Sequence, residues 1–130
     1  KIAQMITSVA GSSDYFTGSV VAYANSVKTR LLGVQKEILQ THGAVSEQVV
    51  KMMAEGARKL FDSDYAVATS GIAGPGGGSD DKPVGTVWIA VASEEGTITE
   101  KHTFGSDRSI NIERFSLAAL NLLRKQIISK

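Results

Sequence analysis

Lys28 is the first residue of this chain whose position could serve chemistry. It lies five positions after Tyr23, near the start of an expected short helix. A cation at the N-terminus of a helix is disfavoured by the helix dipole, which lowers the pKa of a lysine and suits it to act as a general base. The alternative is a solvent-facing lysine on a short helix, and composition alone favours that alternative.

A second candidate is Arg108, which follows Gly105-Ser106-Asp107 just before the last expected helix. Either Asp107 or Ser106 can cap that helix, and Arg108 with the free amides of the first turn can seat a phosphate. An arginine on the surface beside a capped helix is the alternative, and the residues alone favour it somewhat more.

A third candidate is the glycine-rich stretch 69–85, TSGIAGPGGGSDDKPVG, which holds both prolines of the chain. It fails the Walker A pattern, because no Lys-Ser or Lys-Thr follows its glycines. It also fails the dinucleotide pattern, because Ser79 stands where the third glycine belongs and a strand follows. Its amides lie beyond the end of a strand, where ligands commonly bind in open α/β sheets. A long solvated connection is an equally good interpretation.

Composition excludes several other classes. The formal charge of +1 gives no support for nucleic-acid binding, and the absence of cysteine excludes disulfides and thiolate sites. His42 and His102 lack the spacing of metal ligands, so we expect no metal. No apolar run is long enough to span a membrane. The chain starts at Lys1 and not at Met, and we expect further residues upstream in the natural protein.

Hydrophobic periodicity predicts one domain, 1–130, in which helices and strands alternate and a hairpin follows. Helices are expected at 1–10, 26–32 with Asn25 as N-cap, 36–40, 47–61 with Ser46 as N-cap, and 109–128. In the helix 47–61 one face is expected to carry Val49, Met53, Ala57 and Leu60. Strands are expected at 19–24, 65–69, 86–92 and 97–104. This order predicts an α/β fold, a three-layer α/β/α sandwich with a mixed sheet.

Several stretches, taken together, resemble the CinA C-terminal domain family. They occur in that family's order: GSSDYFTGSVVAYANSVKTRLLGV, HGAVSEQVV, TSGIAGPGGGSDDKPVGTVW and GSDR. GIAGPGG followed by KPVGTVW is the most specific of them, and the resemblance covers nearly the whole chain. It implies a cytoplasmic homo-oligomer, dimeric or higher, with no cofactor or metal. The implied activity is hydrolysis of the carboxamide of nicotinamide mononucleotide to nicotinic acid mononucleotide and ammonia.

The resemblance also implies roles for particular residues. Lys28 matches the base that assists a serine nucleophile, and Tyr23 matches a tyrosine lining the same site. Ser70 and Gly71 fall where a strand end meets the substrate, and Gly74 belongs to the same loop. In the same way, Arg108 matches an arginine suited to the substrate phosphate.

The serine nucleophile itself is not in this sequence. In the family it belongs to a Glu-Ser-Cys-Thr-Gly-Gly type box directly before the position of Lys1, together with a preceding helix and strand. Ser8, Ser12 and Ser13 do not occupy that position. The alternative function is therefore a non-catalytic nucleotide-binding or regulatory domain of a larger protein, and a third is hydrolysis of a related amide.

Overall fold

A computed structural model describes residues 1–129. In chain order these residues form the helices α1 (Ile2–Thr7), α2 (Asn25–Leu32), α3 (Lys36–His42), α4 (Glu47–Phe61) and α5 (Arg108–Ile128), and the strands β1 (Ala66–Gly71), β2 (Thr86–Ser93) and β3 (Gly96–Thr103). A single 3₁₀ turn at Ser12–Asp14 follows α1. Most of the predicted elements are confirmed, with ends that differ by a few residues.

The three strands form one sheet in the order β1-β2-β3, and both pairings are antiparallel. The predicted hairpin is confirmed, because β2 turns directly into β3 with Ser93 opposite Gly96. The α/β class is confirmed as well. The sheet differs from the mixed sheet that the sequence predicts, since within residues 1–129 no strand pairs in parallel with another.

Alternation along β2 gives the sheet two buried faces. Ala90 and Ala92 pack with residues of α2 and α4 in one apolar core. Val87, Ile89 and Val91 face the other way and pack with the side chains that α5 buries, which are Phe115, Ala119 and Leu122. Helices therefore cover both faces, as the sandwich prediction requires.

The segment 19–24, predicted as a strand, is not one. It is extended and its burial alternates, with Val20 and Ala22 half-buried against the core of α4 while Val21 and Tyr23 are exposed. Among residues 1–129 no backbone N–H of 17–23 donates to another backbone carbonyl. The pattern of a strand is present, but a strand also needs a hydrogen-bonded neighbour, which this segment lacks in the described part of the chain.

Helix ends correct two further expectations and confirm two. Asn25 is the first residue of α2 and not its cap; Ala24 precedes the helix and provides no side-chain cap. Ser46 caps α4 by accepting a hydrogen bond from the N–H of Val49, as predicted. Asp107 caps α5 in the same way. On α4, Leu60 lies in the last turn and is half-exposed.

Candidate active site

Lys28 is buried, with 6% of its surface exposed, so it is not the solvent-facing lysine that composition favours. Its Nζ atom donates to the carbonyl oxygens of Ala22, at 2.8 Å, and Tyr23, at 3.3 Å. Burial disfavours the charged form of the side chain, and this desolvation lowers the pKa of Lys28 from its ordinary value of 10.5. A buried amine with a lowered pKa and fixed orientation has the properties of a general base.

Helix α2, which carries Lys28, lies very close to α4 at its C-terminal end. Gly56 in α4 faces the C-terminal end of α2, where a Cβ atom at Gly56 would come within 1.9 Å of the carbonyl oxygen of Leu32. At the end of α2, Gly33 has φ +70° and its N–H donates to the carbonyl of Thr29. Only glycine permits this close approach of the two helices at position 56.

The structure brings Tyr23 to Lys28 through its backbone. The carbonyl oxygen of Tyr23 accepts one of the Lys28 hydrogen bonds, but 85% of the tyrosine surface is exposed. Its ring projects from the outer side of the unpaired segment 17–23. The predicted pair is therefore in contact, with the carbonyl as the contacting group.

Ser70 and Gly71, at the end of β1, have structural partners. The Ser70 hydroxyl donates to the carbonyl of Ala44, at 2.7 Å, which ties β1 to the turn before α4. At Gly71 an added Cβ would lie 2.8 Å from the Phe115 ring and 3.0 Å from the carbonyl oxygen of Thr86. The packing of α5 against the sheet therefore already requires glycine at this position.

Gly74 and Arg108 are in direct contact. Arg108 Nη1 donates to the carbonyl oxygen of Gly74 at 2.7 Å, while the arginine as a whole is exposed. Gly74 has φ +92°, precedes a cis bond to Pro75, and would place a Cβ 2.5 Å from Val84. Arg108 thus holds the glycine-rich loop and keeps its other guanidinium N–H groups directed at solvent.

The glycine-rich loop is anchored rather than loosely solvated. At its neck the N–H of Gly85 donates to Ile72 and the N–H of Ile72 donates to Thr86. Near its tip the Lys82 ammonium donates to the carbonyl of His42 with a very short contact. Between these points the N–H groups of 76–78 donate in no hydrogen bond of the described residues. Free N–H groups in a loop that is held in place can donate hydrogen bonds to an oxygen atom of a ligand.

Asp107 already occupies the N-terminal end of α5. Its carboxylate accepts from the N–H of Ile110 and the hydroxyl of Ser109, and the bond from Ile110 is the main cause of the lowered pKa of Asp107. A phosphate at this helix end would meet that negative charge. The N-terminal end of α5 is therefore not free for an anion.

Asn111 contacts the same loop, and sequence reasoning did not find it. Its side-chain amide donates to the carbonyls of Ala73, at 3.0 Å, and Gly105, at 2.9 Å, and the residue is fully buried. The available signal was its spacing, because Asn111 lies four residues before Phe115 on the inward face of α5.

Comparison with known proteins identifies the fold. The sequence profile of the CinA C-terminal domain matches residues 1–127. This chain belongs to the CinA C-terminal domain family. A CinA-like protein of Cytophaga hutchinsonii is 51% identical over 126 residues, which are 97% of this chain and 30% of the relative. This chain is also similar to the nicotinamide-nucleotide amidohydrolase PncC of Escherichia coli K12, with 48% identity over 98% of this chain and 78% of that protein.

A solved CinA-family structure agrees with the observed architecture. The competence/damage inducible protein CihA of Agrobacterium tumefaciens superposes with a TM-score of 0.92 at 40% identity, over 94% of this chain and 75% of that one. This chain spans about 30% of the length of the CinA-like relatives that it matches first. In residues 1–129 of this CinA domain no helix is long and apolar enough to cross a membrane, and no cluster of acidic or histidine side chains could hold a metal ion.

The candidate site of this CinA domain thus consists of two groups. The first is Lys28 with the carbonyls of Ala22 and Tyr23, and the second is the loop at Gly74 with Arg108 and Asn111. The hydrogen bonds of residues 1–129 link the members within each group but do not link the groups. An open cleft of about 380 Å³ lies elsewhere, between α4, β2 and the loop tip, and contains none of the predicted site residues.

Proposed function

We propose that this CinA domain is the catalytic part of an amidase that hydrolyses the carboxamide of nicotinamide mononucleotide. The observation that carries the proposal is the buried Lys28, held by two backbone carbonyls and with a pKa lowered by desolvation. The Escherichia coli relative of this chain is named nicotinamide-nucleotide amidohydrolase, and we take the substrate class from that name. A buried lysine alone would not specify a substrate.

In the proposed reaction a serine hydroxyl attacks the carboxamide carbon and transfers its proton to neutral Lys28. The tetrahedral intermediate then expels ammonia, which takes that proton from Lys28. Water attacks the resulting ester with Lys28 again accepting a proton, and nicotinic acid mononucleotide leaves as the serine is restored. Desolvation lowers the pKa of Lys28, which raises the fraction of the neutral amine that can act as the base.

We place the serine in residues that precede Lys1 in the natural protein, together with a strand. Two features support a strand there. The edge of β1 opposite β2 has no strand partner within residues 1–129, and the extended segment 17–23 has no backbone partner either. Both pack on the same core, β1 through Ala68 and the segment through Val20 and Ala22. A strand between them would satisfy both edges and would end beside the carbonyls that hold Lys28.

Arg108 and the loop would bind the rest of the nucleotide. Arg108 uses one N–H on Gly74, so its remaining donors are available for the phosphate. The free amides of 76–78 are suited to the oxygens of the ribose or the carboxamide. Homo-oligomerisation is part of the proposal, and the exposed apolar side chains of Val21, Tyr23 and Leu31 are consistent with it.

The test is ammonia release from nicotinamide mononucleotide by the natural full-length protein, with nicotinamide riboside as the comparison substrate. Ammonia release with a much higher kcat/KM from the nucleotide than from the riboside is the expected result, because the proposed site binds the phosphate. If calorimetry shows binding of the nucleotide but no ammonia is released, the proposed amidase activity is wrong and the alternative, a nucleotide-binding domain, is supported. Equal release from both substrates would contradict the proposed binding of the phosphate by Arg108 and the loop.

A further inference from the structure

We infer that Asn111 is a positioning residue, which fixes the Ala73-Gly74 and Gly105-Ser106 peptide units beside Arg108 and so holds the glycine-rich loop in place for the substrate. This inference rests on the proposed function, since it assigns the residue that orients part of the same site. Asn111 itself touches only protein: its amide nitrogen donates to the carbonyls of Ala73 and Gly105. It thereby joins the glycine-rich loop to the connection between β3 and α5.

Because the peptide bond is planar, a hydrogen bond that fixes the carbonyl of a peptide unit also fixes the direction of the N–H in the same unit. The carbonyl of Ala73 and the N–H of Gly74 belong to one trans peptide, in which the two groups point in opposite directions. The carbonyl of Gly105 and the N–H of Ser106 are related in the same way. Both N–H groups therefore point away from Asn111 in different directions, and neither donates in a hydrogen bond of the described residues; Gly74 is buried, whereas Ser106 is exposed.

An asparagine suits this position better than other side chains of similar size. Two carbonyls need two N–H donors, which the amide provides, while threonine would offer one donor and aspartate none. The Asn111 Oδ1 atom is buried and has no hydrogen-bond partner. Keeping a buried acceptor unsatisfied costs stability, so the position is better explained by the geometry it imposes on the loops than by stability alone.

Arg108 complements Asn111 from one turn earlier on α5. Arg108 donates to the carbonyl of Gly74, which belongs to the next peptide unit along the loop. That unit ends at Pro75 and has no N–H to aim. Asn111, and not Arg108, therefore determines where the Gly74 N–H points, although both side chains hold the loop.

The experiment measures kcat and KM for nicotinamide mononucleotide, in the natural full-length protein, for Asn111→Asp and Asn111→Thr. The matched control is Ser116→Ala, because Ser116 is also buried on α5 but its hydroxyl donates only within the helix, to Ile112. We expect KM to rise about tenfold in Asn111→Asp, as for the loss of an oriented hydrogen bond, with kcat within about twofold of wild type. Asn111→Thr keeps one donor, so its KM is expected to lie between those of the wild type and Asn111→Asp. It replaces Asn111→Asp in the experiment if that variant does not fold.

Amide hydrogen exchange of Ile72, Gly85 and Phe104 supplies a readout that is independent of catalysis. Their N–H groups form the hydrogen bonds at the loop neck, so exchange is expected to quicken in the Asn111 variants and not in Ser116→Ala. Quickened exchange with an unchanged KM would overturn the inference, and so would a loss of kcat at constant KM. A wild-type protein that neither binds nor hydrolyses the nucleotide would instead remove the proposed function, and this inference with it.

Discussion

The Lys28 ammonium lies 2.8 Å from the carbonyl oxygen of Ala22 and 3.3 Å from that of Tyr23. Each carbonyl can only accept a hydrogen bond, so both contacts require an N–H of the lysine. When Lys28 loses one proton, the two remaining N–H bonds can stay on the two carbonyls. The lone pair of the neutral amine then points away from the carbonyls of Ala22 and Tyr23. A hydroxyl that gives its proton to Lys28 would have to approach from that side.

Replacing Lys28 by methionine is expected to abolish turnover of nicotinamide mononucleotide in the natural full-length protein. Methionine keeps much of the apolar stem but cannot accept a proton, and loss of a general base typically costs a factor of about 10² to 10⁴. The control is Lys36→Met, an exposed lysine at the start of α3. Steady-state ammonia release measures activity, and far-UV circular dichroism checks the fold; near-wild-type turnover in Lys28→Met would remove Lys28 from the mechanism.

The lowered pKa of Lys28 also predicts how activity and stability change with pH. Activity should rise with pH through that lowered pKa, because the base is the neutral amine. Between the lowered pKa and 10.5 the unfolded chain binds more protons at this site than the folded chain, so the free energy of unfolding should increase with pH in that window. Urea titrations at several pH values would measure it. Lys28→Met should lack this contribution, and an identical pH dependence in both proteins would contradict the assignment.

The elements that sequence predicts best are those whose signals are local. The Ser46 cap and the apolar stripe of α4 lie within one segment, and so do the alternation and tight turn that produce β2 and β3. The segment 19–24 has the right alternation, but its assignment as a strand depends on a neighbour elsewhere. Local pattern cannot supply that neighbour. The predicted strand at 19–24 and the predicted mixed sheet are therefore not found within residues 1–129.

The candidate site divides in the same way. Lys28 and Arg108 could be selected from their places at helix starts and from the resemblance to the CinA family. The burial of Lys28 could not, because it depends on how α2 packs against the rest of the chain, which no local pattern gives. Asn111 was missed because a polar residue within a helix resembles a solvent-facing one until its two carbonyl partners are known.

Gly56→Ala is expected to destabilise the fold even though alanine is the better helix former. Helix propensity alone would favour alanine by ~1 kcal/mol. The added Cβ would lie 1.9 Å from the carbonyl oxygen of Leu32, a backbone atom, so α2 must move away from α4. Overpacking of this kind typically costs ~1–3 kcal/mol, and the net effect should be destabilising.

Urea unfolding measures this change, with Gly76→Ala as the matched control. An added Cβ at Gly76 would meet nothing within 4 Å, and Gly76 is not among the glycines with positive φ. Its stability should stay within about 0.5 kcal/mol of wild type. A Gly56→Ala protein as stable as the control would mean that α2 is not held as close to α4 as the structure describes.

Arg108→Ala separates the two tasks proposed for the arginine. One N–H holds the Gly74 carbonyl, and the remaining donors are proposed to bind the phosphate. Loss of the phosphate contact should raise KM for nicotinamide mononucleotide about tenfold or more while leaving kcat/KM for nicotinamide riboside nearly unchanged, since the riboside has no phosphate. Arg124→Ala is the control, because Arg124 lies on the same helix but bonds only to Asn121. If both substrates lose activity equally, Arg108 acts through the loop alone; if KM does not move for either, it has no part in binding.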